Sequence, residues 1–198
     1  MTYHKDKNII LTDCDGVLLD WETAYHGWMK QHGYTLVNPG VYKMDVAYDI
    51  SRSESKQLIK VFNESAWVGF LPALRDARSG VARLVEHGYR FVCITSLSLD
   101  EKARLLRVSN LKNIFGKDVF VDVVCLDTGA DKDAALEPYR DSGQWWIEDK
   151  WENARLGASL GLRSLVMDHP HNQQYSDSRI RRVADWSEIV DAIAGETL

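Results

Sequence analysis

The stretch that decides the fold is Asn8-Ile9-Ile10-Leu11-Thr12-Asp13-Cys14-Asp15-Gly16-Val17. An apolar strand runs directly into two aspartates that stand two positions apart and precede a glycine. Alternation along a strand places both side chains on one face, where their charges repel unless a cation or a proton intervenes. Mg²⁺ accepts such carboxylate oxygens, and open α/β sheets bind ligands at the carboxyl ends of their strands. The stretch therefore predicts a Mg²⁺ site at the edge of a sheet.

Composition bounds the class of protein. The 198 residues are 45% hydrophobic and 27% charged, as in ordinary soluble globular domains. The net charge of -5 argues against a nucleic-acid polymer as partner, and no apolar run approaches the ~18 residues of a membrane span. Residues 1–7 do not resemble a signal peptide, and the three cysteines show no paired metal or disulfide spacing. We expect a cytoplasmic monomer or homodimer with a small-molecule partner.

Periodicity divides the chain into two regions. Strands are predicted at 8–12, 89–95, 119–126, 144–147 and 163–167, and helices of the same region at 76–87, 98–108, 132–139, 152–160 and 186–194. Their alternation predicts an α/β fold, a Rossmann-like parallel sheet formed by residues 1–16 and 73–198. Residues 17–72 show only helical patterns, at 22–32 and 51–65, which predicts a small helical cap inserted after the first strand. Capping-box spacing at Ser51–Glu54 and Ser98–Glu101 marks two helix starts.

Polar side chains follow four of the predicted strands, and parallel topology brings these strand ends together. They are Asp13 with Asp15, Thr95 with Ser96, Lys132, and Glu148 with Asp149. A carboxylate can attack phosphorus, and a second one can shuttle protons. A hydroxyl and an ammonium can hold phosphoryl oxygens, while further carboxylates complete a Mg²⁺ shell. Each residue alone has an ordinary structural explanation, but the joint pattern favours phosphoryl chemistry.

These motifs, in this order, resemble those of the haloacid dehalogenase (HAD) superfamily of phosphohydrolases. The matching segments are DCDGV at 13–17, FVCITS at 91–96, Lys132, and WWIEDKWENA at 145–154. A narrower resemblance, to the 5′(3′)-deoxyribonucleotidases, rests on Asp20-Trp21, IEDK at 147–150, His171-Asn172 and Asp185-Trp186.

The resemblance implies a role for each aspartate. Asp13 would attack phosphorus to form an aspartyl-phosphate, and Asp15 would protonate the leaving alkoxide and then deprotonate the hydrolytic water. The Asp13 carboxylate, the Asp15 main-chain carbonyl and Asp149 would bind Mg²⁺, with Glu148 reaching the ion through water.

The resemblance also implies the substrate contacts. Thr95 and Lys132 would hold phosphate oxygens, joined by the backbone amides of Asp15 and Ser96. Trp21 aligns with an aromatic residue that stacks on a base, so the implied substrate is a (deoxy)nucleoside 5′-monophosphate.

Three alternatives stay open. The substrate could be a non-nucleotide metabolite such as a sugar phosphate or phosphoglycolate. Glu148, where relatives carry aspartate, and Asn153 motivate a catalytically silent protein that binds nucleotide or metal. Asp15 speaks against the third alternative, 2-haloacid dehalogenation, because donating a proton to a leaving alkoxide is a requirement of phosphatases. His169 and His171 lack a matched third ligand and are interpreted as loop residues.

Overall fold

A six-stranded parallel sheet forms the centre of the computed structural model, which describes residues 6–195. Its strands are β1 (Ile9–Thr12), β2 (Arg90–Thr95), β3 (Phe120–Cys125), β4 (Trp145–Glu148), β5 (Arg163–Met167) and β6 (Ile180–Val183). They lie in the order β3-β2-β1-β4-β5-β6, each parallel to its neighbours. The connections run in opposite directions on the two sides of β1. The crevice at the carboxyl end of β1 is therefore the switch point at which such sheets bind ligands.

Helical segments fill the chain between β1 and the remainder of the sheet. They are α1 (Trp21–Gln31), α2 (Met44–Tyr48), α3 (Arg52–Asn63) and a 3₁₀ turn at Ala66–Phe70. Ser51 caps α3 by accepting a hydrogen bond from the Glu54 amide at 3.1 Å, which confirms that predicted start. The short α2 was absent from the sequence prediction. The division into a core and a cap at residues 17–72 remains a prediction.

Five further helices connect the strands or follow them. They are α4 (Ala77–Glu86), α5 (Glu101–Phe115), α6 (Asp133–Leu136), α7 (Trp151–Ser159) and α8 (Trp186–Ala194). The predicted α/β class, a Rossmann-like parallel sheet with a mostly helical insertion after the first strand, is confirmed. Within residues 6–195, no helix is long and apolar enough to cross a bilayer. The prediction about a signal peptide falls mainly on residues 1–5, which lie outside the described range.

The core has one layer on each side of the sheet. Ile10 belongs to the layer that contains Trp186, whereas Leu11 belongs to the opposite layer, with Trp146. Trp145 lies in the layer of Ile10, so the two adjacent tryptophans of β4 straddle the sheet and both are buried. A strand buried on both faces is expected in a parallel sheet, and this explains why β1 is a continuous apolar run.

The predicted bounds of α5 were wrong at both ends. Its N-cap is Asp100, which accepts a hydrogen bond from the Ala103 amide at 2.8 Å. The Ser98 hydroxyl instead donates to Glu64, at the end of α3. The helix continues seven residues beyond the predicted end at Val108, and buried Asn110 within this extension donates its side-chain amide to the carbonyl oxygens of Val68 and Leu71. Tertiary contacts here override weak local helix propensity.

The sequence pattern also missed β6. This strand carries Arg181 and Arg182 between its two buried ends, Ile180 and Val183. The arginines hide the apolar signal of a short edge strand. The guanidinium of Arg182 is partly buried and donates to the Asp168 carboxylate at 2.8 Å.

Candidate active site

The predicted site residues meet at the carboxyl end of β1. The Asp13 amide donates to the Ile147 carbonyl at 2.8 Å, which fixes the end of β1 against β4. Thr95 ends β2 on the other side of β1 and is 1% exposed. The Ser96 hydroxyl donates to the Ala130 carbonyl at 2.8 Å and so ties the end of β2 to the loop that precedes α6. Four separate segments, the ends of β1, β2 and β4 and the loop before α6, thus meet at one edge.

Lys132 lies at the centre of this group. Its ammonium is 2.6 Å from Asp13 Oδ1 and 2.8 Å from Glu148 Oε2, and the side chain is 2% exposed. Burial lowers the pKa of Lys132, but the two carboxylates outweigh it and raise the pKa above its ordinary value. A lysine at a helix start, commonly solvated, is here a buried cation bridging two acids.

Glu148 uses both carboxylate oxygens within the protein. Oε2 accepts from Lys132, while Oε1 accepts from the backbone amides of Asp149 and Lys150, each at 3.1 Å. Burial raises the pKa of this fully buried carboxyl. Glu148 therefore positions Lys132 and the turn that leads into α7. Its water-mediated contact with a metal remains a prediction.

Three buried carboxylates, those of Asp13, Glu148 and Asp149, each place an oxygen within 4.8 Å of the others. Burial, followed by the charge of Glu148, raises the pKa of Asp13 well above its usual range. Burial, followed by the charge of Asp13, raises the pKa of Asp149 to about 7. One ammonium lies beside three carboxyl groups, so the cluster can accommodate a further positive charge. Its carboxylate oxygens are also ligands that a hard cation prefers.

The loop after β5 contacts the backbone of Asp149. The main-chain carbonyl of Asp149 accepts a hydrogen bond from Asn172 Nδ2 at 2.7 Å and lies 3.1 Å from His171 Nε2. His169 Nε2 lies 2.7 Å from the Gly16 carbonyl, and Arg182 binds the side-chain oxygen of Asn172. The two histidines are loop residues, as interpreted from the sequence, but they hold the backbone of the site. The His171-Asn172 pair was part of the narrower resemblance, but its contact with the Asp149 carbonyl was not predicted.

Asp15 does not join the carboxylate cluster. Its two oxygens accept from the guanidinium of Arg107, at 2.5 Å from Nη1 and 2.9 Å from Nη2. The two aspartates of the first motif thus have separate basic partners, Lys132 for Asp13 and Arg107 for Asp15. Sequence reasoning missed Arg107 because it lies in mid-helix on α5, without any motif around it.

Trp21 lies at the start of α1 and packs within the helical insertion. Its ring stacks on Tyr25 with centroids 4.6 Å apart, and its indole N–H donates to Asn63 Oδ1 at 2.9 Å. Asn63 in turn donates to the Leu97 carbonyl just after β2. None of the described contacts of Trp21 reaches the carboxylate cluster. Another ring of the insertion, that of Tyr42, lies 4.2 Å from the His171 ring and thus beside the site.

Solved structures of similar architecture identify the fold. A HAD-superfamily hydrolase from Ehrlichia chaffeensis is 16% identical with a TM-score of 0.56, and the match covers 99% of this chain and 100% of that one. The fold is that of the HAD hydrolases.

Two further solved structures match along nearly their whole length. CbbY from Rhodobacter sphaeroides, in complex with phosphate, is 16% identical with a TM-score of 0.58, covering 93% of this chain and 96% of that one. D,D-heptose 1,7-bisphosphate phosphatase from B. bronchiseptica, complexed with magnesium and phosphate, is 12% identical with a TM-score of 0.61, covering 95% and 98%. At such identities the likeness concerns the fold alone.

Sequence comparison adds one curated relative. An uncharacterized 32.4 kDa protein of Enterobacteria phage T4, from the Gp30-rIII intergenic region, is 27% identical over 121 residues. The match covers 55% of this chain and 41% of the phage protein, so this chain spans less than half the length of that relative. No family model matches the sequence.

Proposed function

We propose that this protein is a Mg²⁺-dependent phosphomonoesterase of the HAD type that acts on a small phosphate ester. The observation that carries the proposal is the bridge from Lys132 to Asp13 and Glu148 at the switch point of the sheet. A buried nucleophile with an ammonium at 2.6 Å suits attack on a phosphoryl group, whose negative oxygens need positive partners.

The donor set fits a magnesium ion. Asp13 and Asp149, with the main-chain carbonyl of Asp15, would hold it, because Mg²⁺ prefers oxygen ligands and these two carboxyls are buried beside one ammonium. When bound, the ion would neutralise phosphoryl oxygens and keep the carboxylates ionised.

The reaction would proceed in two displacements. Asp15 enters the reaction as the protonated acid. A carboxylate oxygen of Asp13 attacks phosphorus, the bond from phosphorus to the ester oxygen breaks, and that oxygen takes the proton of Asp15, which becomes a carboxylate. Asp15 then removes a proton from water, whose oxygen attacks the aspartyl-phosphate. The bond between phosphorus and Asp13 breaks, inorganic phosphate leaves, and both aspartates return to their starting state. Lys132 and Thr95 hold phosphoryl oxygens throughout.

Two substrate classes have separate support. The nucleotidase-like motifs favour a (deoxy)nucleoside monophosphate, and so does the Tyr42 ring beside the site, since rings stack on bases. The similarity to D,D-heptose 1,7-bisphosphate phosphatase supports a sugar phosphate equally. A panel of nucleoside monophosphates, sugar phosphates and phosphoglycolate, assayed for phosphate release, separates the two classes.

The first test is hydrolysis of p-nitrophenyl phosphate. We expect activity with Mg²⁺, its loss in EDTA, and its recovery when Mg²⁺ is restored.

Asp13→Asn should lower kcat by at least ~10³-fold, because the amide cannot form the covalent intermediate. Asp118→Asn is the matched control: Asp118 lies in an exposed turn before β3, at the opposite edge of the sheet. Full activity of Asp13→Asn would refute the nucleophile assignment. Tight nucleotide binding without any phosphate release would favour the silent binding protein.

A further inference from the structure

Arg107 is a fully buried charged residue that the proposed reaction does not yet use. It lies on α5, and its guanidinium forms the two-pronged contact with Asp15 described above. Nη1 also donates to Cys14 Sγ at 2.8 Å. Among the described residues, its Nε has no hydrogen-bond partner. The Asp15 side chain, by contrast, is 25% exposed.

The face of α5 that carries Arg107 also contacts the end of the helical insertion. Asn110, almost one turn after Arg107, donates to the Leu71 carbonyl at 3.1 Å, where the chain leaves the helical insertion. Ala103, one turn before, is buried as well. One face of α5 thus fixes both the turn that carries Asp15 and the exit of the insertion.

A contribution to folding stability does not by itself explain why an arginine is buried at this position. A buried ion pair is often replaceable by apolar side chains at no cost in stability, because desolvating the charges offsets their attraction. An unpartnered Nε adds to that cost. A planar guanidinium does fix both the position and the plane of a carboxylate, which a single-point contact cannot do.

We infer that Arg107 is a positioning residue that holds the Asp15 carboxyl in the orientation needed to give a proton to the ester oxygen and to take one from the attacking water. The inference rests on the proposed function, since it requires Asp15 to be the proton donor. Arg107 is fully buried and contacts the Asp15 side chain, so in this proposal it acts only through Asp15. Proton transfer is sensitive to small errors of placement, so a loosened Asp15 would transfer a proton poorly even though its chemistry is unchanged.

A pair of closely matched esters tests this role. p-Nitrophenyl phosphate releases a stable phenolate and needs little help from an acid, whereas p-nitrobenzyl phosphate releases an alkoxide and needs it strongly. In Arg107→Lys we expect kcat/KM for the benzyl ester to fall by ~10–100-fold, a part of the ~10²–10⁴-fold that a well-placed general acid contributes. The phenyl ester should lose less than ~3-fold, because its leaving group does not depend on that contribution. The ratio of the two kcat/KM values does not depend on the concentration of folded enzyme, so partial unfolding cannot imitate the effect.

Controls separate positioning from other causes. In an Asp15→Asn background, Arg107→Lys should leave the ratio unchanged, because the group through which it acts is gone. Arg104→Lys, on the same helix but exposed and paired with Glu101, should leave the ratio at the wild-type value.

The outcomes are distinct. Equal losses on both esters in Arg107→Lys, or an altered ratio in the Asp15→Asn background, would overturn the positioning role and leave the phosphatase proposal intact. A wild-type protein that hydrolyses only the phenyl ester would contradict Asp15 as proton donor, and this inference with it. A wild-type protein inactive on both esters and on the substrate panel would contradict the proposed function itself.

Discussion

The charge balance of the site depends on one side chain, that of Lys132. Asp13, Glu148 and Asp149 are buried together, and the Lys132 ammonium contacts the first two directly. Burial in a medium of low polarity raises the cost of each ionised carboxyl. Lys132 therefore holds the site together as well as facing the reacting phosphate in the proposed reaction.

Replacing Lys132 by methionine should affect both stability and activity. The substitution leaves buried acids without their positive partner, and breaking a buried pair in this way costs about 3–5 kcal/mol. Urea unfolding in EDTA measures the loss, and hydrolysis of p-nitrophenyl phosphate should become undetectable in the same protein. Lys112→Met, at an exposed position near the end of α5, is the control. Unchanged stability of Lys132→Met would contradict the structural part of this account.

At the scale of elements, the turn after β1 is where backbone and site meet most closely. Gly16 has a φ of +79°, and a Cβ added there would lie 2.6 Å from Asp149 Oδ2. The left-handed backbone and the close approach both require glycine. The glycine in the DCDGV motif therefore reflects the packing of one strand end against the next, in addition to a turn preference.

Gly16→Ala should lower kcat for p-nitrophenyl phosphate by at least ~10-fold, because a misplacement of about 1 Å at a reacting group costs on the order of 10² in rate. Gly33→Ala is the matched control: its φ is +84°, and a Cβ there would meet nothing within 4 Å. Both variants carry the left-handed strain, so a stability loss common to both, read from urea unfolding, measures that strain. Equal activity of the two variants would show that the contact with Asp149 has no consequence.

For the whole molecule, the buried acids link folding to pH and to metal. In the folded protein without metal, burial and the charge of Asp13 raise the pKa of Asp149 from 3.8 to about 7. Between these pH values the folded state binds more protons than the unfolded chain. The contribution of Asp149 to stability is therefore complete below about pH 4 and is lost as the pH rises through about 7.

We expect the free energy of unfolding in EDTA to fall from pH 5 to pH 7, with Asp149 contributing a slope of about 1.4 kcal/mol per pH unit. Asp149→Asn should lack this part of the slope, while other groups titrate in both proteins and cancel in the comparison. Mg²⁺ should stabilise the wild-type protein more at pH 7 than at pH 5, because it binds ionised carboxylates. Urea denaturation at several pH values measures all three effects. Parallel slopes for wild type and variant would contradict the assignment.

Much of the fold could be predicted because its signals are local. The apolar runs ending at Thr12, Thr95 and Glu148 are buried strands, and their parallel arrangement brings Asp13 and Asp149 together. Strand β6 could not be predicted in this way, since its two arginines obscure a run of only four residues. The end of α5 could not be predicted either: asparagine is a weak helix former, and the pairing of the Asn110 side chain with the Leu71 carbonyl is a contact between distant residues.

The order of residues along the chain determined which chemical groups reach the edge of the sheet, since strand length and alternation are properties of neighbouring residues. Only the tertiary structure decided which of these groups contact one another. Asp15 meets Arg107 across 92 positions and Lys132 meets Glu148 across 16. Burial makes such pairings strong, and burial arises only when distant segments pack. The same packing set Trp21 among the rings of the helical insertion and brought Tyr42 beside His171.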